Sequence, residues 1–198
     1  MDAIVYDCEI LNAIPDKTPP EPGVTYCGGW GDFHGMGVSV ICAYDYKTDR
    51  YHTFLRDNFG DFLNLVYQRP NLIGFNNGGF DDLLIAAALG FKPPPTLKIH
   101  DLLSEVWVSC GLKRRFGGSQ YAGYGLQDLS LANGLPGKTS KGTHAPIMWQ
   151  RGDHGQVIDY CLNDVWLTKK LIDQCREVGH LRSPKNGLPM SITAFASL

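Results

Sequence analysis

The chain opens on a stretch that leaves it little freedom in folding. Ala3-Ile4-Val5-Tyr6 runs without a charged residue straight into Asp7-Cys8-Glu9. An apolar run of this kind reads as a strand buried in a sheet. Side chains two apart on a strand share a face, so Asp7 and Glu9 stand side by side where the strand ends. Like charges held that close repel each other and lose solvation. A divalent cation between them removes both penalties. A strand end running into an acidic turn fits the same short pattern, and the rest of the chain has to separate the two readings.

At 198 residues the chain suffices for one domain, 1–198, with a sizeable core. Its 43% hydrophobic and 19% charged content describe a globular protein. The net charge of -2 gives no global basic signature, so any contact with nucleic acid falls to a local patch or a metal. The six cysteines contain no C-x-x-C pair, which argues against structural zinc. They read as reduced core thiols of a cytoplasmic protein. The N-terminus lacks a basic leader, and no apolar run approaches the ~20 residues that cross a bilayer.

Residues 11–36 form a long loop rich in proline and glycine, among them Pro15, Pro19 and Pro20, unsuited to a long helix or a central strand. Trp30 and Phe33 in it suit either base stacking or core packing. A hairpin follows, Gly37 to Tyr46 and then Tyr51 to Phe54, with a helix from Phe59 to Gln68. Asn71 to Phe75 is a short buried strand that runs into Asn76-Asn77-Gly78-Gly79-Phe80-Asp81-Asp82. The next helix, Leu83 to Leu89, ends at Gly90. Asp81 and Asp82 lie at its start, where acids also serve as helix-terminal charges. Thr96 to His100 is a further strand, leading to Asp101 and a helix through Ser109. This alternation means an α/β layered sheet of mixed direction.

The loop Gly111 to Gly125 interleaves Lys113, Arg114 and Arg115 with Phe116, Tyr121 and Tyr124. Cations mixed with aromatics suit a single-stranded nucleic acid; a solvated basic turn is the plainer alternative. Leu126 to Asn133 is a short helix. The loop Leu135 to Thr143 carries Lys138 and Lys141; Lys138 is within reach of a phosphate, or simply solvated. The longest helix spans about Asp153 to Val178 and puts Tyr160 and Asp164 on one face. The tail from about residue 180 contains an edge strand near Met190 to Ala194.

Asp7, Glu9, Asp81 and Asp164 together offer hard oxygen ligands suited to Mg²⁺ or Mn²⁺. Four carboxylates can hold two such ions about 3.5–4 Å apart, the arrangement that clamps the attacking and leaving oxygens in phosphodiester cleavage. The Tyr160 hydroxyl, one turn before Asp164, is placed to orient the water.

D-x-E after a strand, N-x-x-x-D at Asn77 to Asp81 and Y-x-x-x-D at Tyr160 to Asp164 resemble, in this order, the three motifs of the DnaQ-like (DEDDy) exonucleases. The stretch Met36 to Val40 and K-x-x-x-G-x-x-A-P-x-x-W at Lys138 to Trp149 are similar to a subgroup that occurs alone or attached to helicase-like proteins. The resemblance implies a ribonuclease H-like fold: a five-stranded mixed sheet flanked by helices, with strand one in the middle. It implies 3′→5′ removal of nucleoside monophosphates from single-stranded DNA ends by Asp7, Glu9, Asp81, Asp164 and Tyr160 with two divalent cations. It also implies a supporting rather than ligating role for Asp101. Asn77, Phe80, Ile10 and Leu11 fall where substrate is contacted, Leu11 as an apolar wedge under the last base. Proofreading members often carry threonine or serine where this chain has Ile10, so a hydroxyl contact is lost. RNA as substrate, or an inactive end-binding module, remains open at this level. With no polymerase domain present, a helicase or polymerase would act as a partner in trans.

Overall fold

The structure, a computed structural model, describes residues 1–16, 20–138 and 142–198. Pro19 and Lys141 lie outside the described residues. The opening apolar run is strand β1 (Ala3–Ile10). After helix α1 (Phe33–Met36), strands β2 (Val38–Asp45) and β3 (Arg50–Phe54) form the expected hairpin, and β2 pairs antiparallel with β1. Helix α2 (Phe59–Tyr67) leads to β4 (Asn71–Gly74), which lies parallel to β1 on its other side. Helix α3 (Asp81–Leu89) then connects to β5 (Lys98–Asp101), parallel to β4, and helix α4 (Leu102–Ser109) follows directly. The order β3-β2-β1-β4-β5 puts β1 in the middle of a five-stranded mixed sheet. Helices α5 (Leu126–Ala132), α6 (Ala145–Gln150) and α7 (His154–Val178) complete the layers.

Strand alternation splits the core in two. Ala3 and Val5 pack with α4, α5 and α7 through Val106, Leu129, Val157 and Val165. Ile4, Tyr6, Cys8 and Ile10 pack on the opposite face with α2 and α3 through Phe62, Val66, Leu84 and Ile85. By the same two-residue period Asp7 and Glu9 join Val5 on the α7 side. Helix α7 lays Val157, Cys161, Val165 and Ile172 against the sheet, all fully buried. It stops at Gly179, whose φ of 75° lies in the left-handed region that favours glycine at a helix end.

The far end of the sheet carries a buried brace. Arg69 donates to both Asp45 oxygens, at 2.9 and 2.7 Å, tying the end of β2 to the α2–β4 connection. The long 11–36 loop is also anchored. Gln150 of α6 accepts from the Thr25 N–H at 2.7 Å and donates to the Leu11 carbonyl at 3.0 Å.

Besides the short α1 inside the 11–36 loop, two further elements differ from the sequence reading. Ala145 to Gln150 is a helix, with Pro146 in its first turn, where the missing N–H costs nothing. The tail folds as a separate antiparallel ribbon of β6 (His180–Arg182) and β7 (Pro189–Ser191), not as an edge of the main sheet. Ile192 and Phe195 beyond it are buried in the α7-side core, which draws the tail away from the sheet's edge.

Candidate active site

Strand β4 pairs with β1 only as far as Val5, so the β4 side of β1 has no strand beside it further on. There the Cys8 N–H donates to Asp81 Oδ1 at 3.2 Å, and the Cys8 thiol donates to the same oxygen at 3.1 Å. The first residue of α3 is thereby drawn to the point between Asp7 and Glu9. On the β2 side the register slips between Glu9 and Ile10, and the Ser39 hydroxyl donates to the Glu9 carbonyl at 3.0 Å. Irregularities of this kind re-aim side chains where pairing ends. Helix α7 crosses behind with Tyr160 and Asp164 turned inward, both buried.

Asp7, Glu9, Asp81, Tyr160 and Asp164 line one cleft of about 380 Å³. Asp7, Glu9 and Cys161 each place a potential ligand atom within 4.8 Å of the others. Burial pushes the Asp7 carboxyl well above its ordinary value, and repulsion from Asp81, Asp164 and Glu9 adds to this. Glu9 is raised the same way, by burial and then Asp164. Burial lifts Asp81 to about 6 against the pull of the two Cys8 hydrogen bonds. Burial also raises Asp164, with Lys138 opposing it, and Tyr160 is raised by burial and the Asp164 charge. Among the described residues, Asp7 Oδ2 and Asp164 Oδ1 are buried without a hydrogen-bond partner. Buried acceptors of that kind are rare and call for a missing ion or water. A hard-oxygen set with orphaned acceptors fits Mg²⁺ or Mn²⁺.

The fold has a solved counterpart. The chain is similar to the family B DNA polymerase from the hyperthermophilic archaeon Pyrobaculum calidifontis, with a TM-score of 0.61 at 16% identity over 98% of this chain. It spans 27% of that polymerase's length. At this identity the likeness is one of fold. No family model matches the sequence, and no curated protein does.

The other sequence-selected residues divide. Ile10 and Phe80 line the carboxylate cleft. Leu11 does not: it packs against Gly37, and its amide bonds the Met36 carbonyl at 3.2 Å. Asn77 is fully buried and donates to Asp82 Oδ2 at 3.1 Å, so it shapes the turn and touches no solvent. Asp82, the local rival of Asp81, is turned to the Tyr6 hydroxyl at 2.5 Å. Asp101 caps α4 through the Leu103 N–H at 3.0 Å and holds the Asn76 N–H at 2.8 Å, a supporting role for the turn that precedes Asp81.

Arg114 and Arg115 lie outside this cleft. They line a neighbouring hollow of about 620 Å³, which meets the carboxylate cleft at Asn76. The hollow is larger, but the acids converge elsewhere. Arg114 is paired with Glu105, and Lys113 is exposed and lines neither space. Their loop follows α4 and shares the hollow with the Asn76–Gly79 turn. Lys138 is not solvated: its Nζ sits 2.5 Å from Asp164 Oδ2.

The cleft includes residues that sequence reasoning did not assign to it. Ile14 and Trp30 of the long loop form its apolar wall, with Trp30 66% exposed and its ring 6.4 Å from that of Phe80. Trp30 carried a signal, as an aromatic on a long loop; Ile14 carried none. Gly142 stands where a Cβ would come within 3.2 Å of the Tyr160 hydroxyl.

Proposed function

We propose that the protein is a metal-dependent 3′→5′ exonuclease that releases nucleoside monophosphates from single-stranded DNA ends. The observation that carries this reading is the meeting of Asp7, Glu9, Asp81, Asp164 and Tyr160 in one cleft, from three elements far apart in sequence. The four carboxylates would hold two divalent cations, which when bound supply an activated water and stabilise the leaving 3′-oxygen. Tyr160 orients that water, while Cys8 keeps Asp81 in place. Trp30 and Phe80 offer faces for the terminal bases, and Ile10 adds to the apolar lining beside them. Lys138 is within reach of a phosphate. The strand leading to the end would pass Asn76 toward Arg114, Arg115 and Phe116, a route supported by the hollow those residues line. DNA is favoured over RNA by the fold likeness to a DNA polymerase. The whole chain, 1–198, would act as one nuclease domain serving a helicase or polymerase in trans. No described helix is long and apolar enough to cross a membrane.

The test uses 5′-labelled single-stranded DNA and RNA with Mg²⁺ or Mn²⁺. A ladder that shortens from the 3′ end and vanishes in Asp164→Ala is expected. Equal activity in that variant overturns the reading. Cleavage confined to RNA changes the substrate, and tight end binding without turnover reduces the protein to a binding module.

A further inference from the structure

We propose that Lys138 is a built-in counter-cation that occupies the carboxylate cluster until divalent ions displace it, and so sets the metal affinity of the site. The inference rests on the nuclease reading above. The Lys138 ammonium is 2.5 Å from Asp164 Oδ2, and its side chain is only 25% exposed. It also lies 4.9 Å from the centre of the Tyr160 ring, so two functional side chains of α7 share it. A lysine placed for solubility would extend into water; this one spends its charge inward.

One ammonium cannot satisfy the cluster. Asp7 Oδ2 and Asp164 Oδ1 stay buried without partners while Lys138 is in place. A divalent ion on Asp164 would meet the ammonium at short range, and like charges at that distance in a buried site exclude one another. Entry of the metal therefore requires the lysine to leave.

The surroundings indicate which part moves. The Lys138 N–H is bound to Gln127 Oε1 on α5. Gly137 lies so close to the Gln127 amide that a Cβ there would be 2.5 Å from it. The backbone N–H of Lys138 is held by its bond to Gln127, so withdrawal falls to the flexible four-carbon stem.

Mn²⁺ binding to metal-free protein is measured by calorimetry for the wild type, Lys138→Met and Lys138→Arg, alongside melting temperatures in chelator. Lys138→Met is expected to bind Mn²⁺ about tenfold more tightly, the effect of removing one competing charge. It should also melt below the wild type in chelator and gain more on adding Mn²⁺. Lys138→Arg, which keeps the charge, should stay near the wild type. Lys138→Gln repeats the comparison if the methionine variant does not fold. Equal or weaker Mn²⁺ binding in the uncharged variants overturns the inference, and nucleolysis by those proteins would leave the nuclease reading standing. Mn²⁺ binding by none of them overturns both.

Discussion

The Asp81 carboxylate accepts a hydrogen bond from the Cys8 backbone N–H at 3.2 Å. That contact fastens the first turn of α3 to the one residue separating Asp7 from Glu9. Three acids are thus held in fixed relation by protein groups alone. The contact exists because β4 stops pairing with β1 at Val5, leaving the amide free for a side chain.

The pH dependence of the metal-free protein should report Asp81. Burial lifts its pKa to about 6, above its unfolded value. Its contribution to stability is therefore full below about pH 4 and is lost as pH rises through about 6. The rise corresponds to roughly 3 kcal/mol. In chelator, the melting temperature of the wild type should fall relative to Asp81→Asn as pH climbs from about 4 to 7. A difference between the two proteins that stays constant over that range contradicts this.

Tyr160→Phe removes one hydroxyl from a buried position and keeps the ring. Turnover should drop by about 10²–10⁴-fold, the range for a single positioned acid–base group, with Mn²⁺ affinity retained. Single-turnover kinetics on single-stranded DNA reads the first quantity and calorimetry the second. Turnover equal to the wild type removes the tyrosine from the chemistry.

Gly142 keeps the space over Tyr160 open. A valine there would press on the hydroxyl, since even its Cβ falls at 3.2 Å. Misplacement of a catalytic group on the ångström scale costs about 10²-fold. Gly142→Val should lose that much activity while its urea midpoint stays close to the wild type, because the position is exposed.

Arg69→Ala leaves Asp45, fully buried, without its guanidinium. Burial alone would raise the Asp45 carboxyl; the Arg69 and Thr48 hydrogen bonds hold it at about 2. Stripping one partner from a buried pair costs about 3–5 kcal/mol. Urea denaturation near neutral pH should show that loss. A change below about 1 kcal/mol would mean the brace is ornamental at this end of the sheet.

Much of the architecture was legible because its signals are local. The alternation that buries Val5 on one face and Tyr6 on the other is a two-residue property. The pairing of Tyr160 with Asp164 is a four-residue one. Both survive folding because neighbouring residues share the same backbone geometry. Leu11 shows where adjacency misleads: it follows Ile10 directly, but the strand has ended, and the chain turns it onto Gly37 instead of into the cleft. The Lys113–Arg115 loop is a different case. Its composition suits nucleic acid, yet nothing in that composition says on which side of the Asn76–Gly79 turn it lies.

The sequence by itself placed most strands and helices in order and, through the resemblance to the three exonuclease motifs, named Asp7, Glu9, Asp81, Asp164 and Tyr160 as a set; spacing along one element decides only which side chains share its face, as Asp7 does with Glu9 and Tyr160 with Asp164. Only the tertiary structure decided that Asp82 turns to Tyr6, that Trp30 walls the cleft, and that Lys138 reaches Asp164. The first depends on how α3 packs against β1, and the other two on where loops travel, which distant partners set: Gln150 for the long loop, Gln127 for the segment bearing the lysine.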